Sequence, residues 1–527
     1  MYYNIKLVSE KPVPCILKGV RAMKTYTPQT MQKAEQSYFE KAGVSPLELM
    51  QKAAANVFFA VRSRLRPYDT VTVLCGKGNN AGDGYEIARL MRKDGRNVIC
   101  VSVLGGEPTV EPAQTCCKAY LAEGGKIITD PRIALKKIAF STVIIDAVFG
   151  IGFRGEISKE SVLYQYIDKA NLSGAFRVAV DVPSGVRSID GSVGGIAFAA
   201  DLTVTISAYK IGMLSYPARF YCGKTEVADI GLPEALLDSF AAENRGFVPE
   251  DEYVKTVLPA RPLMSNKGTF GKVCCICGSE TMTGAAVLSV GAALRTGAGL
   301  VTLASCKEVI DCVRMAYPEP IYAPIDWKNK EKAVSFADSL AKYTTVLIGC
   351  GWNQSAVKTD FLKTVLKMVS AQLVLDADGI NQLCPFIELL REAKQIPILT
   401  PHPGEFARLT GYDVNYINDN RIACAVEFAE KYRCILVLKG AGTVIASPDG
   451  RYAVNTTGNP GLAKGGSGDV LAGLIAGLAS NPYVSAFDAA VCGVYLHGKA
   501  ADILKRTVSE YGFLPSELAL EVAKLLP

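Results

Sequence analysis

The stretch richest in chemistry runs from Asn455 to Leu478, NTTGNPGLAKGGSGDVLAGLIAGL. Gly465, Gly466, Ser467 and Gly468 stand ahead of Val470, Leu471, Leu474, Ile475 and Leu478, which recur at helical spacing. A glycine-rich loop that runs into a helix aims free backbone N–H groups and the positive end of the helix dipole at one point. Such a point suits a phosphate or a developing anion. Asp469 falls in the first turn, where a carboxylate can take a proton from a bound hydroxyl. An anion hole beside a carboxylate is what phosphorylation of a hydroxyl by a nucleotide requires. A lone GxGD is more simply a turn followed by a first-turn Asp; the density of glycines here favours phosphate handling. Gly473 and Gly477 would let the helix lie close against a neighbour.

The element that must carry such a loop is an α/β sheet, and the chain contains two runs of strands at α/β spacing. The first holds Thr70–Leu74, then a turn with Gly76, Gly78, Gly82 and Gly84, then a helix starting at Tyr85. This is the mononucleotide-binding arrangement of doubly wound sheets, although Asn79, Asn80 and Asp83 replace a GxGxxG pattern. Their amide and carboxylate groups could bind a ribose, a phosphate or a cation. Strands at Asn97–Val103, Val143–Asp146, Arg177–Val180 and Leu202–Ile206 follow, and two end in IIDAVFGIGFRGE and VAVDVPSG. Ligands of open parallel sheets sit at the carboxyl ends of strands, so Asp146, Gly150–Gly155, Asp181 and Ser184 should converge with Asn79–Asp83. Two carboxylates facing one crevice suit cation binding or acid–base work.

The second run starts at Gly271 and includes strands at Val301–Ala304, Thr345–Ile348, Leu373–Asp376, Ile396–Leu399, Ile435–Leu438 and Thr443–Ala446. Gly349, Cys350 and Gly351 follow one strand, and Asp376, Asp378 and Asn381 another. A third is followed by residues 400–405, where His402 stands between two prolines, a rigid placement suited to ligand contact. Lys439–Thr443 (KGAGT) offers a lysine, a threonine and backbone donors to a nucleotide. All of these should face the Gly465–Asp469 loop. The residues describe a nucleotide-dependent small-molecule phosphotransferase site joined to a second nucleotide-like pocket.

At 527 residues the chain exceeds a single core. We read residues 1–22 as an aperiodic tail, 23–240 as a Rossmann-like doubly wound domain, 241–262 as a linker and 263–527 as the second α/β domain. Apolar residues make up 49% and charged residues 20%, a composition of well-buried α/β domains. No apolar run is long enough for a membrane span, and the N-terminus lacks a signal-peptide core. The net charge of +6 is spread along the chain with no arginine-rich tract, so neither nucleic acid nor membrane is expected as a partner. Sixteen cysteines lie mostly in apolar runs without CxxC spacing, and the two histidines, His402 and His497, argue against structural zinc. A reduced, cytoplasmic protein is expected.

NNAGDG, DAVFGIGFRG and DVPSG together resemble the NAD(P)H-hydrate epimerase family. TPHPGEFARL, KGAGT and GNPGLAKGGSGDVLAG resemble the ADP/ATP-dependent NAD(P)H-hydrate dehydratase family, whose fold is ribokinase-like. The resemblance spans nearly all of the chain after Met23, in the order found in bifunctional prokaryotic repair enzymes. It implies interconversion of the R and S hydrates of NADH and NADPH (NADHX, NADPHX) by the first domain. The second would remove water from the S form, with ADP (ATP in eukaryotic members) phosphorylating the ring hydroxyl. It further implies that Asn79, Asn80, Ala81, Gly82 and Asp83, with Gly150, Ile151, Gly152, Phe153, Arg154 and Gly155, hold the hydrate beside Asp181. Asn80, Asp146 and Ser184 match a potassium site. In the second domain Ala285, Gly351, His402 and Asp469 would face the hydrate. Lys439, Gly440, Ala441, Gly442, Thr443 and Gly468 would hold ADP, with Mg2+ on the nucleotide. Asp469 is the expected base, Asp181 a candidate for the epimerase, and a homo-oligomer is expected by analogy.

Two positions depart from the family pattern. Ala81 stands where glycine is usual, and Lys464 adds a positive charge near the phosphates that would alter nucleotide preference. Two rival readings use the same residues. One is a ribokinase-like vitamin-precursor kinase with an N-terminal ligand-binding module; the other makes the first domain a regulatory binding module.

Overall fold

The computed structural model of the chain describes residues 22–241 and 245–527. Residues 1–21 of the expected tail lie outside the described residues. The chain forms two compact units, one of Lys24–Gly246 and one built on Phe247–Pro527.

In the first unit every strand of the main sheet runs parallel to its neighbours. The order is Ile127–Ile128, Asn97–Ser102, Thr70–Cys75, Val143–Ala147, Phe176–Val180, Leu202–Ile206, Lys224–Ala228. Strands covered by helices on both faces bury nearly all their side chains, and Val143–Ala147 is buried throughout. From Thr70–Cys75 the chain winds first toward one edge and then, from Val143–Ala147, toward the other. The reversal leaves a crevice at the carboxyl ends of these two neighbours, where Cys75 pairs with Ala147.

Two details differ from expectation. Met23–Tyr26 is a strand, whose Thr25 and Tyr26 pair with Tyr209 and Lys210. And NNAGDG is not a turn: the helix begins at Asn79 and runs to Lys93. Glycine there serves close packing. A Cβ on Gly82 would stand 2.4 Å from Met50 Sδ and 2.9 Å from Ala113 Cα, and one on Gly84 2.6 Å from Ala147 Cβ. Ala81, helical and fully buried, needs no special backbone, so its departure from glycine costs nothing in geometry.

The second unit contains a sheet in the order Ile321–Pro324, Leu300–Ser305, Lys272–Ile276, Thr345–Ile348, Gln372–Leu375, Ile398–Leu399, Ile435–Leu438, Val444–Ala446, Tyr452–Val454. The last two strands are antiparallel and the others parallel. Its reversal point lies between Lys272–Ile276 and Thr345–Ile348. The helix Ser467–Ala479 packs on helix Thr283–Arg295, and the contact needs glycine. A Cβ on Gly473 would come within 2.2 Å of the Ser289 carbonyl oxygen, and one on Gly477 within 1.8 Å of Thr296 Oγ1.

The segment 241–262 is not simply a linker. Its Phe247, Tyr253, Val254 and Leu258 are buried in the core of the second unit, from the strand Gly246–Val248 and the helix Asp251–Val257. These apolar side chains are spaced among charges that hide the pattern in sequence. No described helix is long and apolar enough to cross a membrane.

Candidate functional site

The first unit has a cleft of about 360 Å³ at its reversal point. Asn79, Asn80 and Asp83 line it from one helix face, as the three- and four-residue periodicity demands. Ala81 and Gly82 turn away, into the contact with helix Pro46–Arg62 and Ala113. Gly150, Ile151 and Gly152 line the opposite side; Phe153, Arg154 and Gly155 do not. Phe153 belongs to the hydrophobic core, Arg154 is exposed, and the Gly155 carbonyl accepts from Arg187 at 3.1 Å. Gly150 has φ +59°, and a Cβ there would stand 3.2 Å from both Asn80 Cγ and Asp181 Oδ2.

Asp181 occupies the left-handed region, φ 69°, directly after the strand Phe176–Val180. That conformation costs a non-glycine residue about 1–3 kcal/mol, so its surroundings must hold it. They do. Lys210 Nζ donates to Asp181 Oδ1 at 2.5 Å, and also to Thr205 Oγ1 at 2.9 Å and Ile206 O at 2.7 Å. The Ile151 and Ile206 amides donate to the same carboxylate, each at 3.2 Å. Lys210, only 1% exposed, also lines the cleft, although nothing in its spacing marks it beyond its place after the strand Leu202–Ile206.

Two further acids line this cleft. Burial, with the charges of Asp181 and Glu35, pushes the Asp83 carboxyl well above the carboxylate range. Glu35 reaches the cleft from helix Pro28–Ala42; its burial and the Asp181 charge, partly offset by Lys210, push it up to about 7. The sequence offers no signal for Glu35, since KAEQ reads as the solvated face of a helix.

Asp146 lies at the end of its strand and is 1% exposed. Ser184 donates to it twice at 2.7 Å, from N–H to Oδ2 and from its hydroxyl to Oδ1, and the Val148 amide donates at 3.2 Å. Burial pushes its carboxyl up to about 6 against these donors. Among the described residues no lysine or arginine side chain contacts it. A buried carboxylate without a cationic partner, beside the Ser184 hydroxyl, is a donor set that suits a hard cation.

In the second unit a cleft of about 430 Å³ opens at the reversal point, lined by Ala285, Gly351, Asn353, Ala377, Asp378 and Asp469 among others. Gly351 and Asn353 come from the turn after Thr345–Ile348, Ala377 and Asp378 from the turn after Gln372–Leu375, Ala285 from helix Thr283–Arg295 and Asp469 from the glycine-rich helix start. Gly351, φ +59°, packs so tightly that a Cβ would lie 2.6 Å from Ala285 Cβ. Asp469 is in the first turn of its helix, behind Gly466 at φ +98°. Burial and the neighbouring Asp376 push the Asp469 carboxyl up to about 6, with Cys350 and Lys439 acting against the shift.

Behind it lies a buried network. Cys350 Sγ is 3.6 Å from Asp376 Oδ2, and Thr400 Oγ1 and Lys439 Nζ donate to Asp376 Oδ1 at 2.6 and 2.8 Å. Burial would lower the Lys439 ammonium, but Asp376 and Glu405 hold it above its ordinary value. Cys350, Asp376 and Asp469 could together approach one ion. A thiol and an already paired carboxylate make a poor Mg2+ cage.

Lys439 also meets the glycine loop, because a Cβ on Gly468 would stand 3.6 Å from its Nζ. Gly440 to Thr443 make a hairpin turn closed by the Thr443 hydroxyl, which donates to Gly440 O at 2.9 Å. Arg421, 7% exposed, braces the turn by donating to the carbonyls of Leu438 and Lys439 at 2.7 and 2.9 Å; its sequence context carries no sign of this.

His402 does not line the second cleft. It caps helix Pro403–Thr410: its Nδ1 accepts from the amides of Gly404 and Glu405 at 3.0 and 3.3 Å, while Glu405 accepts from the His402 amide at 2.8 Å. The ring is half exposed, and its Nε2 lies 3.5 Å from Glu405 Oε1. Lys464 likewise departs from expectation. Its Nζ donates to the carbonyls of Tyr511 and Phe513 at 2.9 and 2.6 Å, so the added charge is spent on the C-terminal segment. Each cleft is lined by residues of its own unit alone.

A family profile described as NAD(P)H-hydrate dehydratase matches residues 273–524, and one described as YjeF-related protein N-terminus matches 46–212. The bifunctional NAD(P)H-hydrate repair enzyme of Moorella thermoacetica is 34% identical over 85% of this chain and 86% of its own length. That of Coxiella burnetii is 36% identical over 91% of this chain and 94% of its own, and that of Escherichia coli 33% identical over 93% and 91%. Among solved structures, the ADP/ATP-dependent NAD(P)H-hydrate dehydratase from Bacillus subtilis, co-crystallized with ATP/Mg2+, is 34% identical with a TM-score of 0.46, over 53% of this chain and 97% of that one.

Proposed function

The chain belongs to the bifunctional NAD(P)H-hydrate repair enzyme family, and from that premise we propose which residues carry each half of the repair. The enzyme joins an epimerase to a dehydratase. Relatives matched across both units do not favour the alternative of a vitamin-precursor kinase with an N-terminal ligand-binding module.

In the second unit, Asp469 takes the proton of the ring hydroxyl as that oxygen attacks the terminal phosphoryl group of ADP. The N–H groups of Gly466–Gly468 and the Lys439 ammonium offset charge on the transferring phosphoryl group. Loss of phosphate from one ring carbon and of a proton from its neighbour restores the double bond. Ala285 and Gly351 shape the wall against the hydrate, and the half-exposed His402 ring is a further contact to it. Lys439, Gly440, Ala441, Gly442, Thr443 and Gly468 hold the nucleotide. Mg2+, arriving on the nucleotide, supplies charge neutralisation between its phosphates.

In the first unit, Asn79, Asn80, Asp83 and Gly150–Gly152 hold the hydrate beside Asp181. Asn80, Asp146 and Ser184 would hold K+, whose chemistry there is charge compensation and loop placement. The single observation that carries the whole reading is the position of Asp469, which opens onto a cleft from the first turn of a glycine-started helix with a lysine ammonium beside the loop. The compartment we assign is the cytoplasm, on cysteine usage, and the assembly a homo-oligomer.

The test is recovery of NADH from a mixed R/S hydrate preparation with ADP, ATP or no nucleotide. ADP-dependent recovery of both epimers is expected. Recovery that stops at the S fraction would remove the epimerase assignment, and none with either nucleotide would remove both.

A further inference from the structure

Four carboxylates stand at or beside the first cleft, and their commitments differ. Asp181 is held by Lys210, Thr205 and two backbone amides. Asp146 is occupied by Ser184 and Val148. Asp83 is 6% exposed, and the charges of Asp181 and Glu35 add to the burial that raises its carboxyl. Glu35 has no hydrogen bond or ion pair among the described residues, is half-buried, and lines the cleft with Asp181 and Lys210.

We propose that Glu35 is the group that moves the proton during epimerisation of the hydrate. The inference rests on the repair reading above. Adding water across the 5,6 double bond of a dihydronicotinamide places the hydroxyl on carbon 6, beside the ring nitrogen, and makes a hemiaminal. To invert that carbon, the Glu35 carboxylate takes the hydroxyl proton. The C–O bond becomes a carbonyl, the bond from carbon 6 to the ring nitrogen breaks, and its electron pair goes to the nitrogen. The nitrogen then takes the proton from Glu35. Rotation about the C5–C6 bond presents the other carbonyl face, and the same transfers in reverse close the ring. Nothing is oxidised or reduced, and one carboxylate carries one proton from oxygen to nitrogen and back. Lys210, fixed by Asp181, supplies the positive charge that favours the developing alkoxide.

A group used as acid and base in one cycle works best when it titrates near the working pH. Glu35, pushed up to about 7, meets that condition. The charges facing it are Asp181 and Lys210 across the cleft and Asp83 on helix Asn79–Lys93. On helix Glu234–Phe240, Glu234 and Asp238 are neutralised by Lys24 at 2.8 and 2.6 Å, and on helix Pro46–Arg62 Glu48 pairs with Lys52 at 3.4 Å. On its own helix Lys33 and Glu40 are exposed.

The experiment follows the R-to-S conversion of purified NADH hydrate by chromatography, with the full-length chain, no nucleotide, and spontaneous conversion subtracted. Glu35→Gln should slow turnover by about 100-fold or more while hydrate binding persists, and Glu35→Asp should restore part of the rate. The wild-type rate should fall as pH is lowered through about 7, and the Glu35→Gln profile should be flat. A wild-type rate in Glu35→Gln, or an unchanged pH profile, overturns the proposal. So does loss of binding along with turnover in both variants, which would make Glu35 a binding or structural residue. If the wild-type chain itself does not speed conversion, the epimerase assignment falls, and the proposal with it.

Discussion

The Nζ of Lys439 lies 2.8 Å from Oδ1 of Asp376, and the same ammonium stands beside Gly468 of the anion-binding loop. One charge therefore pairs with a buried carboxylate and stands beside the glycine-rich helix start proposed to take phosphate. Glu405, 3.8 Å away, adds a second anion, and Glu405 in turn accepts from the His402 amide. The histidine expected from sequence to contact a ligand thus holds, through its backbone amide, an acid that faces the lysine.

Removing that charge should harm both roles. Lys439→Met is expected to reduce nucleotide-dependent dehydration by about 100-fold, the scale of a lost phosphoryl-stabilising donor. It should also lower stability by about 3–5 kcal/mol, because Asp376 is left buried and unpaired. The double variant Lys439→Met/Asp376→Asn should regain stability in a denaturant titration without regaining activity. Equal loss of stability in the single and double variants would show that the pair is not the cause.

Asp469→Asn should abolish dehydration of the S hydrate and leave R/S interconversion at the wild-type rate. Because burial and Asp376 raise the Asp469 carboxyl to about 6, its base form dominates only above that pH. Dehydration by the wild-type chain should therefore decline as pH falls through about 6. A kcat flat from about pH 5 to 8 would exclude Asp469 as the base.

The oxygen set of Asn80, Asp146 and Ser184 predicts a dependence of epimerisation on the monovalent cation. Exchanging K+ for a bulky organic cation should slow it. Asp146→Asn removes the buried charge that the cation would compensate, and should make the residual rate insensitive to K+. Thermal stability supplies a readout apart from turnover: K+ should raise the melting temperature of the wild-type first unit and not that of the variant.

Lys464→Thr tests a reading that the structure reverses. With its ammonium on the carbonyls of Tyr511 and Phe513, the residue should have no influence on the choice between ADP and ATP. The ratio of kcat/KM for the two nucleotides is expected to stay within about twofold of wild type, with a stability loss of about 1–2 kcal/mol from two lost charge-assisted bonds.

Many of the candidate residues were legible because they follow strand ends. Asp146, Asp181 and Gly351 follow from finding apolar strands and looking at what comes next, and the loop before Asp469 from its glycines ahead of a helical pattern. Thr345–Ile348 and Ile435–Leu438 appear with the bounds their apolar runs suggest. The misses have separate physical causes. NNAGDG was read as a turn because glycine permits unusual angles, whereas Gly82 and Gly84 answer to the lack of space above a helix. Lys210 and Glu35 come from a short strand and an ordinary amphipathic helix, whose local pattern is silent about which side chain will face a cleft. Phe247 and Tyr253 were diluted among charges, so their place in a core could not be seen from periodicity. Lys464 was placed correctly along the chain but not in direction, since a long side chain is steered by neighbours far off in sequence.

Each cleft draws its lining from one unit, and this bears on how the protein can be inherited. A substitution that ruins one pocket leaves the other with its full complement of groups. Lineages can therefore lose, duplicate or separate one activity without redesigning its counterpart.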